Sequence, residues 1–353
     1  MDIDWDVLTT IEHQADQSDL LGSPLYGVQL RGIAADYRAG GLSATLLDGA
    51  GLRPLHDALV LRYVGAGHRL ALAGDAPDLA RWYPSCGGSW NGEDPTPDFL
   101  ALVAARTDYF RDALQRQVQT NEVARAVVLT CGLAHLADGR PLRTLEIGAS
   151  AGLLSRLPWF CVDTGTHVCG PTDSPVYFGP ESFVHPPPSL PASIVVAGQA
   201  ASDLTPIDVS TPAGQVYALS FLWPDQVARV DRMRAALEVA ARHQLPVDAG
   251  DAGEWLTGQL AAPLPDGVVT VVFHSIVWQY LPHDTKDAIR AALREAGSRA
   301  TSTSPLAWLR MEPATREFAD VRANVWPSTD PMGTETVLAE VGYHGANVRW
   351  LAD

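Results

Sequence analysis

The sequence predicts a mixed α/β chain, with an all-helical N-terminal cap domain over residues 1–140 and a doubly wound parallel sheet over 141–353. Three observations carry this reading. The stretch Arg143-Thr-Leu-Glu-Ile-Gly-Ala-Ser-Ala-Gly152 is an apolar run ending in an acid, with two glycines and small residues behind it. Such a run is how a buried strand bends sharply around a ligand into the next segment. From Val216 onward, apolar runs alternate with amphipathic stretches, the pattern of strands and helices in a parallel sheet. Between Val7 and Leu136 the apolar residues instead recur at three- and four-residue spacing, with few strand signals.

Bulk properties narrow the function. The 353 residues suffice for about two domains, and 46% apolar content places the chain among folded proteins. A formal charge of −16 argues against a nucleic-acid groove, which needs clustered Lys and Arg, and favours a small-molecule substrate. Cys86, Cys131, Cys161 and Cys169 show neither metal-pair spacing nor a disulfide framework, as expected in a reducing cytosol. The start, Met1-Asp-Ile-Asp-Trp-Asp, is acidic where a secretory leader is basic, and no apolar run is long enough to cross a bilayer. A cytoplasmic protein without a membrane partner is expected, and the sequence fixes no oligomeric state.

Taken in order, Ile33 to Tyr37, Leu55 to Tyr63 and Phe99 to Leu114 read as helices, and Tyr83 to Pro97 as an exposed connection. Gln119, Thr120, Asn121, Glu122 and Arg125 crowd polar groups ahead of the apolar run Val127 to Leu129. They read either as a helix cap with a Glu122–Arg125 pair or as contacts to the polar end of a substrate. After Gly152, residues of about 158–213 read as an insertion, with a hairpin from Thr166 to Cys169 and Val176 to Phe178 and a small strand from Ser193 to Ala197. Expected strands then follow at Val216 to Leu222, Pro246 to Ala252, Val268 to His274 and Leu306 to Met311, with helices from Val227 to His243 and Asp284 to Ala296. Val321 to Trp326 and Ala346 to Leu351 read as closing strands joined through a short helix near Glu335 to Glu340.

Open α/β sheets bind ligands at the carboxyl ends of their strands. The residues expected there are Glu146, Trp223, Asp225, Asp251, His274 and Glu312.

The acid-x-Gly-x-small-x-Gly order of Glu146 to Gly152, an acid after the second strand, Asp251-Ala-Gly-Glu-Trp and Phe273-His-Ser-Ile-Val-Trp-Gln-Tyr-Leu-Pro resembles the S-adenosylmethionine-dependent methyltransferase fold. More narrowly, Gln119-Thr-Asn-Glu122, Glu146 to Leu153, Trp223-Pro-Asp225 and His274-Ser resemble an uncharacterised actinobacterial family filed as a domain of unknown function. The methyltransferase resemblance implies a Rossmann-like sheet in which Glu146, Gly148, Ala149, Ser150 and Gly152 cradle the methionine part of S-adenosylmethionine. It implies further that Asp225, or alternatively Asp203, holds the ribose and that Asp251 meets the adenine. Ser150 departs from the glycine usual at the closest approach.

His274 is the candidate for chemistry, since an imidazole there takes a proton from a nucleophile as the methyl arrives; the plainer alternative is a core histidine. Trp278, Gln279, Tyr280 and Glu312 then line the substrate side, with Gln119, Asn121, Glu122, Arg125 and Trp223. Gly148-Ala-Ser150-Ala-Gly152 also matches the nucleophile elbow of serine hydrolases, with Asp251 as acid and His274, His283 or His344 as partner. A metabolite-binding protein without catalysis is a third reading. No His, Asp or Glu pairing at helical spacing supports a metal site.

Overall fold

A computed structural model describes residues 6–50, 53–55, 57–315 and 317–353. The acidic start Met1 to Trp5, and His56 within the expected helix Leu55 to Tyr63, lie outside the described residues. The helices in chain order are α1 (Val7–Leu20), α2 (Pro24–Arg38), α3 (Leu42–Leu47), α4 (Leu59–Leu72), α5 (Pro77–Ala80), α6 (Thr96–Ala105) and α7 (Thr107–Leu114). Then come α8 (Ala126–Ala137), α9 (Pro212–Leu219), α10 (Val227–Arg242), α11 (Ala252–Leu260) and α12 (His283–Ser298). Contacts divide the chain into two compact units, residues 1–120 with 211–234, and residues 121–210 with 235–353.

The first unit takes its helices from local signals. Asp6 caps α1 by accepting the Thr9 amide, and Pro24 opens α2 with its φ preset. Its core centres on Tyr63, Phe99 and Phe110, whose rings meet edge to face at centroid distances of 5.0, 5.6 and 5.8 Å. Buried His68 ties α4 to the Ser220 carbonyl through Nδ1 (3.2 Å) and to Ser85 Oγ through Nε2 (2.7 Å). Burial pushes this imidazole down to about 4, so it is neutral at physiological pH. The strand expected over Val216 to Leu222 is instead helix α9 and its C-terminal turn. Thr211 caps that helix by accepting the Gly214 amide and Pro212 starts it, and these start signals outweigh the strand propensity of the apolar run.

The second unit holds the sheets. Its strands are β1 (Leu142–Ile147), β2 (Cys161–Asp163), β3 (Val168–Cys169), β4 (Tyr177–Phe178), β5 (Phe183–His185) and β6 (Val196–Asp203). They continue as β7 (Val247–Ala249), β8 (Val269–Ser275), β9 (Leu306–Pro313), β10 (Phe318–Trp326), β11 (Thr334–Gly342) and β12 (Val348–Trp350). A nine-stranded sheet runs β5-β12-β11-β10-β9-β8-β1-β6-β7, and a small one β3-β2-β4. The five strands β7-β6-β1-β8-β9 are mutually parallel, whereas β9 to β12 run as an antiparallel meander. Both edges of the large sheet are strands of three residues, β5 and β7.

Three expectations are corrected here. The segment read as an insertion contains β6, a central strand paired along β1; its Val-Ala-Gly-Gln-Ala-Ala-Ser-Asp sequence lacks the β-branched signal of a strand. The expected hairpin is two strands flanking β2, one antiparallel and one parallel to it. Residues near Glu335 to Glu340 form strand β11 rather than a helix, paired along β10 with Glu335 bonded to Arg310 and Arg322.

Helices cover both faces of this sheet. Leu145, Ile147, Val272 and Trp308 form one cluster with Leu256 and Leu260 of α11 and Ile289 and Leu293 of α12. On the other face α8 packs against β8 to β11, and a Cβ at Gly132 would lie 2.9 Å from Leu309. The glycine therefore lets α8 sit directly on the strand.

Candidate functional site

Strands β6, β1, β8 and β9 end side by side, and their last residues bring Glu146, Asp203, His274 and Glu312 to one rim of the sheet. The chain leaves β1 through a turn in which Gly148, Ser150 and Gly152 have φ of +67°, +53° and +66°. Alternating left-handed residues of this kind demand glycine or local hydrogen bonds, and Ser150 has the bonds. Its amide donates to Asp203 Oδ2 at 2.8 Å, its hydroxyl accepts from Asn121 Nδ2 at 3.1 Å, and its carbonyl accepts from Ile207 at 3.1 Å.

The turn spends its other amides internally as well. Ala149 donates to the Ser202 carbonyl (2.9 Å), Ala151 to Asn121 Oδ1 (3.1 Å) and Gly152 to the Ala149 carbonyl (2.7 Å). Buried Arg156 donates to the carbonyls of Ala151 and Gly152 and, from its other nitrogens, to those of His243 and Leu245.

Glu146 is buried, with one oxygen accepting from Ser155 Oγ. Burial pushes its carboxyl up to about 8, and Ser155 and the Arg156 charge offset only part of that. The carboxyl is thus largely protonated at neutral pH. Strand register puts Glu146 beside Phe273, which stands beside Leu309, so these side chains share the face covered by α8.

His274 is on the other face, with Trp308, Arg310 and Glu312. Its Nδ1 bonds Glu312 Oε1 at 2.7 Å, and the ring stacks on Trp278 at 5.5 Å with planes 13° apart. The same oxygen accepts the amides of Val277 (3.1 Å) and Trp278 (3.2 Å).

Comparison with known families adds one finding: a model described as an uncharacterized protein conserved in bacteria (DUF2332) matches residues 9–350. The chain belongs to the DUF2332 family. No curated protein matches it. Among the described residues of this DUF2332 chain, no helix is long and apolar enough to cross a membrane and no group of three or more His, Cys, Asp or Glu stands ready to hold a metal.

The residues singled out in the sequence distribute as follows. Glu146, Gly148, Ala149, Ser150, Gly152, Asp203 and Asn121 meet in and around the β1 turn. Asp251 caps α11, accepting the Gly253 and Glu254 amides and the Thr285 hydroxyl. Glu122 caps the short turn Val123–Arg125, and Arg125 donates to the Tyr343 carbonyl and reaches Ser275. Trp278, Gln279 and Tyr280 follow β8, with Gln279 and Tyr280 exposed. Gln119, Trp223 and Asp225 belong to the first unit. There Trp223 is buried in the helical core, and Asp225 accepts the Leu25 amide at 3.0 Å and the Ser23 hydroxyl at the start of α2. Because α9 replaces the expected strand, Asp225 ends no strand, and Asp203 is the acid that ends the strand beside β1.

Ser155, Arg156 and Val277 escape a reading by motif. Ser155 and Arg156 follow the turn closely in sequence, which is the one hint they offer, whereas Val277 reaches Gly148 only through the fold.

Proposed function

We propose that this chain binds S-adenosylmethionine at the β1 turn and transfers its methyl group to a small molecule, on a Rossmann-like sheet of the methyltransferase type. The strand order carries the reading. Counted along the chain, the parallel strands β7-β6-β1-β8-β9 follow the doubly wound order 3-2-1-4-5, and the glycine turn lies where that order reverses. This reversal is the place where such sheets bind nucleotide-like ligands.

The hydrogen bonds of the turn favour that ligand over a dinucleotide. A pyrophosphate needs free amides, and those of residues 149–152 are already engaged. S-adenosylmethionine carries no phosphate, and its sulfonium and ammonium suit a buried carboxyl such as Glu146. Asp203 accepts the Ser150 amide and Asp251 the Gly253 and Glu254 amides, which fixes one carboxylate at the end of β6 and the other at the start of α11. The cofactor, when bound, supplies an electrophilic methyl; the residues of the chain orient it and exclude water. The acidic balance of the chain supports a small molecule over nucleic acid as acceptor.

Calorimetry with S-adenosylmethionine and its demethylated product tests this, with saturable binding of at least one expected. Failure of both to bind ends the proposal. A second reading, a serine hydrolase, draws on Ser150 at φ +53° inside Gly-x-Ser-x-Gly after β1. Its hydroxyl, however, pairs with the Asn121 amide rather than with an imidazole. Labelling of Ser150 by a fluorophosphonate, lost in Ser150→Ala, would favour the hydrolase.

A further inference from the structure

Three consecutive residues, Ile276-Val277-Trp278, link the two faces of the site. Ile276 holds φ +51°, a left-handed backbone in which a β-branched residue is sterically disfavoured. The Val277 side chain lies directly on the glycine turn: a Cβ at Gly148 would stand 2.4 Å from Val277 Cγ2. Trp278 covers the other group, stacked on the His274 ring.

One carboxylate oxygen fastens this segment. Glu312 Oε1 accepts the Val277 and Trp278 amides and meets His274 Nδ1. An oxygen already facing two backbone donors acts as acceptor toward the ring too, which puts a ring hydrogen on Nδ1. The ring's Nε2 is fully buried and has no hydrogen-bond partner among the described residues. Buried polar atoms left unpaired are uncommon and call for a reason such as a functional role.

We propose that Ile276 to Trp278 forms a gate with two leaves, Val277 over the glycine turn and Trp278 over His274, latched by Glu312, so that one movement uncovers both. The inference rests on the β1 turn being a ligand seat. Backbone strain at Ile276 favours opening, and the three bonds to Glu312 hold the gate closed.

Carbethoxylation of the full chain by diethyl pyrocarbonate reads the gate. The reagent forms a bond from an unprotonated imidazole nitrogen to its carbonyl carbon and releases carbon dioxide and ethanol, and peptide mapping gives the rate at each histidine. His283, which is exposed, serves as internal reference. In the wild type His274 is expected to react far more slowly than His283. Glu312→Ala, which removes the latch, and Trp278→Ala, which removes the leaf, are each expected to raise the relative rate at His274 about tenfold. A folded Glu312→Ala protein that keeps the wild-type rate overturns the proposal, and so does a Trp278→Ala protein that does. Titration with S-adenosylmethionine separates the two readings. Faster His274 modification in the variants without cofactor binding removes the cofactor and keeps the gate; cofactor binding with unchanged His274 rates removes the gate alone.

Discussion

Glu146 and His274 stand at the carboxyl ends of neighbouring strands but on opposite faces of the sheet. Glu146 is level with Phe273 in the β1–β8 register, so the residue after Phe273 points the other way. The two groups therefore lie among different neighbours. Glu146 belongs with Ser155, Asn121 and the glycine turn, whereas His274 belongs with Glu312 and two tryptophans.

The first prediction concerns pH. The Glu146 carboxyl is raised from its ordinary 4.5 to about 8, chiefly by burial. The folded chain keeps a proton that the unfolded chain releases, so the stability this group contributes is complete below 4.5 and is lost as pH rises through about 8. Glu146→Gln cannot ionise. Its unfolding free energy in urea is expected to match that of the wild type near the low end of this window and to exceed it above the high end, by on the order of 5 kcal/mol.

Ligand binding draws on the same proton. A sulfonium seated beside Glu146 favours the charged carboxylate, so binding of S-adenosylmethionine at neutral pH releases about one proton, and affinity climbs as pH rises toward 8. Calorimetry in two buffers of different ionisation enthalpy measures the release. Equal heats in both buffers would show that Glu146 does not meet the cation.

Gly148→Ala meets two penalties, a left-handed φ and the Val277 side chain. The loss expected in chemical denaturation is about 2–4 kcal/mol. Adding Val277→Ala relieves the clash and leaves the backbone cost of about 1–2 kcal/mol. A double-mutant cycle should therefore give a coupling near or above 1 kcal/mol, and additive losses would mean that the two residues do not press on each other.

Asp203 and Asp225 separate by role. Asp225→Ala removes the acceptor of the Leu25 amide and Ser23 hydroxyl, for an expected loss of about 1–2 kcal/mol. Affinity for S-adenosylmethionine should stay within about twofold, because that carboxylate is engaged at the start of α2. Asp203→Ala should lower the affinity at least tenfold by releasing the Ser150 amide. The reverse ranking by calorimetry would move the ribose acid to Asp225.

The strands that were legible are those with dense apolar signal. Val269–Ser275 and Leu306–Pro313 follow the apolar runs closely, and Glu146 to Gly152 announces its own turn. Strand β6 was hidden because alanine, glycine and glutamine carry little strand propensity, and its parallel neighbours hold it in place. The run Val216 to Leu222 fits strand and buried helix alike, and the Thr211-Pro212 start decides between them. Of the site, residues placed by chain continuity were readable. Contacts made only by folding were not: Asn121 on the turn, Arg156 across its carbonyls, and Val277 on Gly148.

The two three-residue strands that bound the large sheet limit what its rims do. A strand of that length offers very few open backbone groups of its own to a passing chain. Its long apolar strands, the ones most prone to such joining, are kept in the middle, where neighbours on both sides saturate their backbones.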